Sequence, residues 1–93
     1  MLVAVYQLEL FLPDSGSLKE KRYVLQSLKT KIRTKFNYSI AEVGEHDKWQ
    51  RSIIGLSMVA TERKLFDQTF EKVIQLVEND GRVIITQTIC DIY

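Results

Sequence analysis

The amino-acid sequence predicts an α+β sandwich: a four-stranded antiparallel sheet with two helices on one face. Three observations predict it. Four segments are rich in β-branched, aromatic and aliphatic residues, and two others repeat their apolar residues at helical spacing. These segments follow one another in the order strand, helix, strand, strand, helix, strand. Right-handed crossovers on that order favour the sheet order 4-1-3-2.

The elements follow in turn. Residues 2–11, LVAVYQLELF, read as the first strand, and PDSGS is a turn cluster. Ser17 stands three positions before Glu20, the capping-box spacing, so its hydroxyl is expected to accept from the third helical N–H and the Glu20 carboxylate to reach back to the Ser17 N–H. Leu18, Leu25, Leu28, Ile32 and Phe36 then mark an amphipathic helix over 18–36. A short strand follows over 37–43, a loop over 44–48, and a third strand over 49–60. Thr61 is the expected cap of a second helix with the stripe Phe66, Phe70, Val73, Ile74 and Val77, closed by Asn79, Asp80 and Gly81. The fourth strand covers 82–93. The result is a ferredoxin-like βαββαβ sandwich occupying residues 1–93 as a single domain.

Composition narrows the function classes. The chain is 45% apolar and 27% charged, an ordinary globular balance. It has no apolar run long enough to span a membrane, and its N-terminus does not read as a signal peptide. Cys90 is the only cysteine. A cytoplasmic setting is expected, with no cofactor.

The net charge of +1 conceals an asymmetry. Residues 17–36 hold seven cations against Glu20 alone, a balance of +6, while the remaining six cations and eleven carboxylates leave −5. On a helical wheel, Lys19, Arg22, Lys29 and Arg33 fall on one flank of the apolar stripe with Gln26 among them and no acid. Solvated helix faces commonly interleave signs and gain from i,i+4 pairs, and that support is missing here. Two readings stand. The flank, roughly 20 Å long, follows the phosphates of a nucleic acid. Alternatively, its cations are clasped by carboxylates elsewhere in the fold, such as Glu42 or Asp47. Lys21 differs from the others, because it lies within about 40° of Leu25, and its stem is expected to run along the core edge to a carboxylate.

Two further features concern contact surfaces. Trp49, Gln50 and Arg51 sit at the mouth of the hairpin between strands two and three. Trp and Arg are frequent anchors, and Arg stacks on bases or pairs with phosphate. On the open face of the sheet, an RNA-recognition motif would place aromatics at mid-strand. This chain has Val5, Gln7, Gly55 and Ser57 there, which argues against that mode. The aliphatic open face instead suggests self-association, through that face or a sheet edge.

No residue set reads as a catalytic centre, and no enzyme activity is expected. His46 has no Cys or second His beside it, so no metal site is expected. LPDSGS carries no Arg of the kind an acylphosphatase loop needs, and no phosphate-binding loop motif occurs.

The stretches LPDSGSLKEKR (12–22) and KFNYSIAEVGEHDKWQR (35–51) resemble the YlxP-like family of small uncharacterised bacterial proteins. The shared pattern runs through Ser17, Leu18, Lys19, Glu20, Lys21 and Arg22, then Phe36, Asn37, Ser39, Ala41, Glu42, Asp47, Trp49, Gln50 and Arg51. Gly16 stands where a bulkier, often polar residue is expected. The resemblance implies a ferredoxin-like fold. It also implies a link to translation or ribosome maturation, because genes of this family often lie beside those of translation initiation and ribosome-binding factors. It supplies no catalytic residues. The expected function is therefore a non-enzymatic RNA- or ribosome-associated protein, with Lys19, Arg22, Lys29, Arg33, Trp49 and Arg51 as nucleic-acid contacts. The alternative is a homo-oligomeric interaction module that binds no nucleic acid.

Overall fold

The computed structural model describes residues 1–93. Its elements are β1 (Leu2–Phe11), α1 (Leu18–Lys35), β2 (Ser39–Gly44), β3 (Arg51–Ala60), α2 (Arg63–Asp80) and β4 (Ile84–Ile92). The four strands form one antiparallel sheet in the order β2-β3-β1-β4, which is the expected 4-1-3-2 read from the other edge. The architecture is the ferredoxin-like α+β sandwich. No helix is long and apolar enough to cross a membrane.

Period-two alternation sorts the residues of the central strands. Ala4, Tyr6, Leu8 and Leu10 of β1, and Ile54, Leu56 and Met58 of β3, point to the helix side and are buried. Leu25, Leu28 and Ile32 from α1 and Phe66, Val73 and Val77 from α2 meet them there. Tyr6 stacks on Phe70 at 3.9 Å between centroids, and Tyr38 meets Tyr6 edge-on at 6.2 Å, so aromatics fill the centre of the core.

Three local expectations are corrected. Ser17 caps α1 as expected, its hydroxyl accepting from the Glu20 N–H at 3.0 Å. The Glu20 carboxylate, however, reaches one residue further back, to the Gly16 N–H. At α2 the cap position falls on Glu62, not Thr61, and no side chain closes it. The helix leans on its buried stripe instead. Finally, β3 begins at Arg51, so Trp49 belongs to the preceding turn rather than the strand.

Candidate nucleic-acid interface

The site begins with a lysine that is not part of it. Lys21 is completely buried. Its ammonium lies 3.0 Å from Glu42 Oε2 and donates to the backbone carbonyls of Glu45 (2.8 Å), Arg51 (3.0 Å) and His46 (3.3 Å). Ser52, itself buried, donates to the same Glu42 oxygen at 2.7 Å. The 45–48 turn is folded around the ammonium, with Glu45 at φ +61° in the left-handed region. Every proton on the ammonium thus has an acceptor, which is the condition for burying a charge.

This tie sets the geometry of one pole of the molecule. It draws the β2–β3 hairpin end onto the first turns of α1. The Gln50 side chain adds bonds to the carbonyls of Pro13 and Ser15, and Leu12 donates to the Gln50 carbonyl at 2.8 Å. Trp49 lies in the turn at this pole, whereas the Arg51 side chain turns onto the sheet face opposite α1. Lys29 and Arg33 lie further along α1, so the six expected residues do not form one continuous surface.

Their availability differs. Lys19 and Arg22 are exposed and Lys29 is half-buried, and none of the three forms an ion pair with a carboxylate. Arg33 is exposed but donates to the Ile40 carbonyl at 3.0 Å, on the β2 edge. Arg51 lies over the Phe11 ring at 4.9 Å and faces Glu9 at 3.9 Å, so it is directed to the open sheet face. Trp49 is 56% exposed. On the opposite flank, Lys31 pairs with Asp80 at 3.5 Å. Neither Glu42 nor Asp47 clasps the basic flank: Glu42 is spent on Lys21, and Asp47 forms no ion pair.

Sequence reasoning missed the surroundings of Tyr23. This residue is 73% exposed, one turn after Lys19. It lines a cleft of about 450 Å³ with Leu12 and Val24 as its apolar part, and with Lys19 and Arg82 matched by the carboxylates of Asp14 and Glu20 around it. Arg82 is held there by Asp80, with Nε to Oδ1 and Nη2 to Oδ2 both at 2.7 Å, and by a bond to Ser27 at 3.1 Å. Nothing in the sequence signals that residue 82 returns beside α1. The helical spacing of Tyr23 and Ser27 shows only that both lie on the flank facing α2, not what meets them there.

The fold and this pole define a small ferredoxin-like domain with an acid-free cationic flank on its first helix and no assembled metal-ligand cluster. The chain matches a family model described as "Protein of unknown function (DUF503)" over residues 3–89, and it belongs to that family. It is similar to "Uncharacterized protein YlxP" of Bacillus subtilis (strain 168), with 35% identity over 78 residues that cover 84% of this chain and 85% of the relative.

Proposed function

We propose that this protein is a non-enzymatic RNA-binding protein linked to translation or ribosome maturation, and that it contacts the phosphate backbone through the flank of α1. The observation that carries the reading is that Lys19, Arg22 and Lys29 line an acid-free flank with no ion-pair partner. Unpaired cations aligned along a rigid helix suit a polyanion, because each phosphate contact releases a condensed counterion. Tyr23, next to Lys19 on the flank facing α2, and Trp49 offer exposed aromatic faces on which an unpaired base stacks. The link to translation rests on the family resemblance alone.

The test is RNA binding by the parent and by an Arg22→Glu, Lys29→Glu double variant, across a salt series. The expected result is a loss of at least tenfold in affinity, and a log–log salt slope shallower by between ~1.4 and ~1.8. Equal affinity and slope for parent and variant overturn the reading. Recovery of ribosomal particles from cell extract, with and without RNase, places the contact on RNA or on protein.

A second reading, self-association without nucleic acid, is favoured by exposed apolar residues on the open sheet face: Val5, Val59, Ile84 and Ile89. Arg51 then serves that face rather than RNA.

A further inference from the structure

The sheet has two free edges, and they are treated differently. β2 is short, six residues, and carries a bulge between Glu42 and Gly44. Two of its carbonyls are occupied by side chains: Ile40 by Arg33 at 3.0 Å, and Glu42 by the His46 ring at 3.2 Å. These are recognised ways to blunt an edge.

β4 is less protected: its one bulge falls at Thr86, near its start, and Gln87–Ile92 pair with β1 without interruption. It runs nine residues, Ile84–Ile92, and seven of the nine are exposed. It contains no Lys, Arg or Pro, and Asp91 is its only charge. The hydrogen-bond parity shows which groups are free. Val3 and Tyr93 exchange both backbone bonds, at 2.9 and 2.8 Å. Antiparallel pairs alternate, so Val5 with Asp91 and Gln7 with Ile89 also spend their groups on β1. The N–H and C=O of Thr88, Cys90 and Ile92 therefore point outward from the sheet, and no side chain bonds to them.

We propose that β4 pairs with β4 of a second copy of this chain, antiparallel about a two-fold axis, joining the two sheets into one. This gives the second reading above a defined surface and also stands beside RNA binding, since α1 packs on the β2 side of the sheet and α2 on the β4 side. A second copy is the occupant because an antiparallel edge is complementary to itself: one surface meets its own image and the contact closes. β2 is capped, so the pairing is β4 to β4 and does not grow into a filament. The register centred on Ile89 satisfies the outward groups and the charge together. Thr88 faces Cys90 of the partner subunit and the reverse, giving about four backbone bonds. Asp91 faces Gln87 of the partner subunit, which keeps the two carboxylates apart. Ile89 meets its counterpart on the open face, continuing its apolar strip.

The test is the mass in solution by light scattering from low to high micromolar concentration, with amide exchange on the same samples. A dimer is expected, with the amides of Thr88 and Cys90 protected. Ile89→Lys, which leaves the β1 ladder intact, is expected to give a folded monomer in which those amides exchange at least tenfold faster. In a Cys90→Ser background, Ile89→Cys is expected to form an intersubunit disulfide under mild oxidant. A parent that stays monomeric throughout overturns the proposal, as does a dimer that Ile89→Lys leaves intact. RNA binding by a monomeric parent would remove this pairing while leaving the α1 reading in place.

Discussion

The Lys21 ammonium lies 3.0 Å from the Glu42 carboxylate at a position where the lysine is completely shielded from water. The pair is not an isolated surface contact but the centre of a polar network. Three backbone carbonyls and Ser52 complete it. Removing the ammonium strands the carboxylate and three carbonyls together. Lys21→Met is therefore expected to destabilise the protein by about 3–5 kcal/mol, a large share of the stability of a domain this size. Glu42→Gln is expected to cost less, because the carbonyls still receive the ammonium. Chemical denaturation of both variants checks the ranking, and equal costs would show that the carbonyls contribute little.

The Tyr38 hydroxyl is the reverse case, a buried polar group with no partner. Burial pushes its phenol up to about 12, because the ionised form has no water to stabilise it. Tyr38→Phe keeps the ring in its edge-on contact with Tyr6 and deletes only the stranded oxygen. The expected outcome is unchanged stability or a gain of up to about 1 kcal/mol at neutral pH. The sign in alkali follows from linkage. The contribution of the protonated phenol is fully present below the unfolded value near ~10 and is lost as pH rises towards 12. Burial also raises the Tyr6 phenol. The parent should therefore lose stability steadily above pH ~10, and Tyr38→Phe should lose less over the same window. Thermal melts at stepped pH measure this.

Much of this architecture was legible because it rests on local periodicity. The inward positions Ile54, Leu56 and Met58 alternate as a half-buried strand must, and Ser17 and Gly81 carry the chemistry of helix ends. Lys21 was legible in direction only. Its wheel position sends the stem towards the core, but the carbonyl cage depends on a loop whose Glu45 adopts a left-handed φ without being glycine. Arg82 was not legible, because its bond to Ser27 joins residues 55 positions apart. The start of α2 lies one residue beyond the position that side-chain chemistry favours. Thr61 has the right side chain, but α2 begins beyond it without a capping bond. The six interface residues were identified by charge and composition, which report neither that Arg33 is tied to the Ile40 carbonyl nor that Arg51 leans on Phe11.

Gly81 ends α2 at φ +82°, the left-handed conformation. An added Cβ would meet no atom within 4 Å, so packing plays no part at this position. Any cost of substitution is backbone strain alone. Gly81→Ala is expected to destabilise by about 1–2 kcal/mol, and Gly81→Asn by less, because asparagine tolerates this region. Denaturant midpoints with unchanged slopes would establish the comparison.

The residues on either side of that glycine form the last testable unit. Asp80 ends α2, where a carboxylate opposes the helix dipole. It is 2% exposed, a second reason for it to be unfavourable. Arg82 offsets both. It donates twice from its guanidinium and once from its backbone N–H to Asp80, across the turn at Gly81. The side-chain bond to Arg82 is the main cause holding the Asp80 carboxyl below the usual aspartate range, and Lys31 adds to it from α1. A depressed carboxyl contributes stability that is present above the unfolded value near ~3.9 and is lost as pH falls through the lower folded value. Acid denaturation of the parent should draw on this group below pH ~4. Asp80→Asn removes that arm of the pH dependence and leaves Arg82 without its charged partner. The expected cost at neutral pH is about 1–2 kcal/mol, moderated because Arg82 and Lys31 both reach solvent. The same variant leaves Arg82 at the rim of the Tyr23 cleft without a carboxylate partner, still held by Ser27. If the cleft contributes to RNA contact, Asp80→Asn should bind RNA no more weakly than the parent while being less stable. Paired melting and binding measurements separate the two effects.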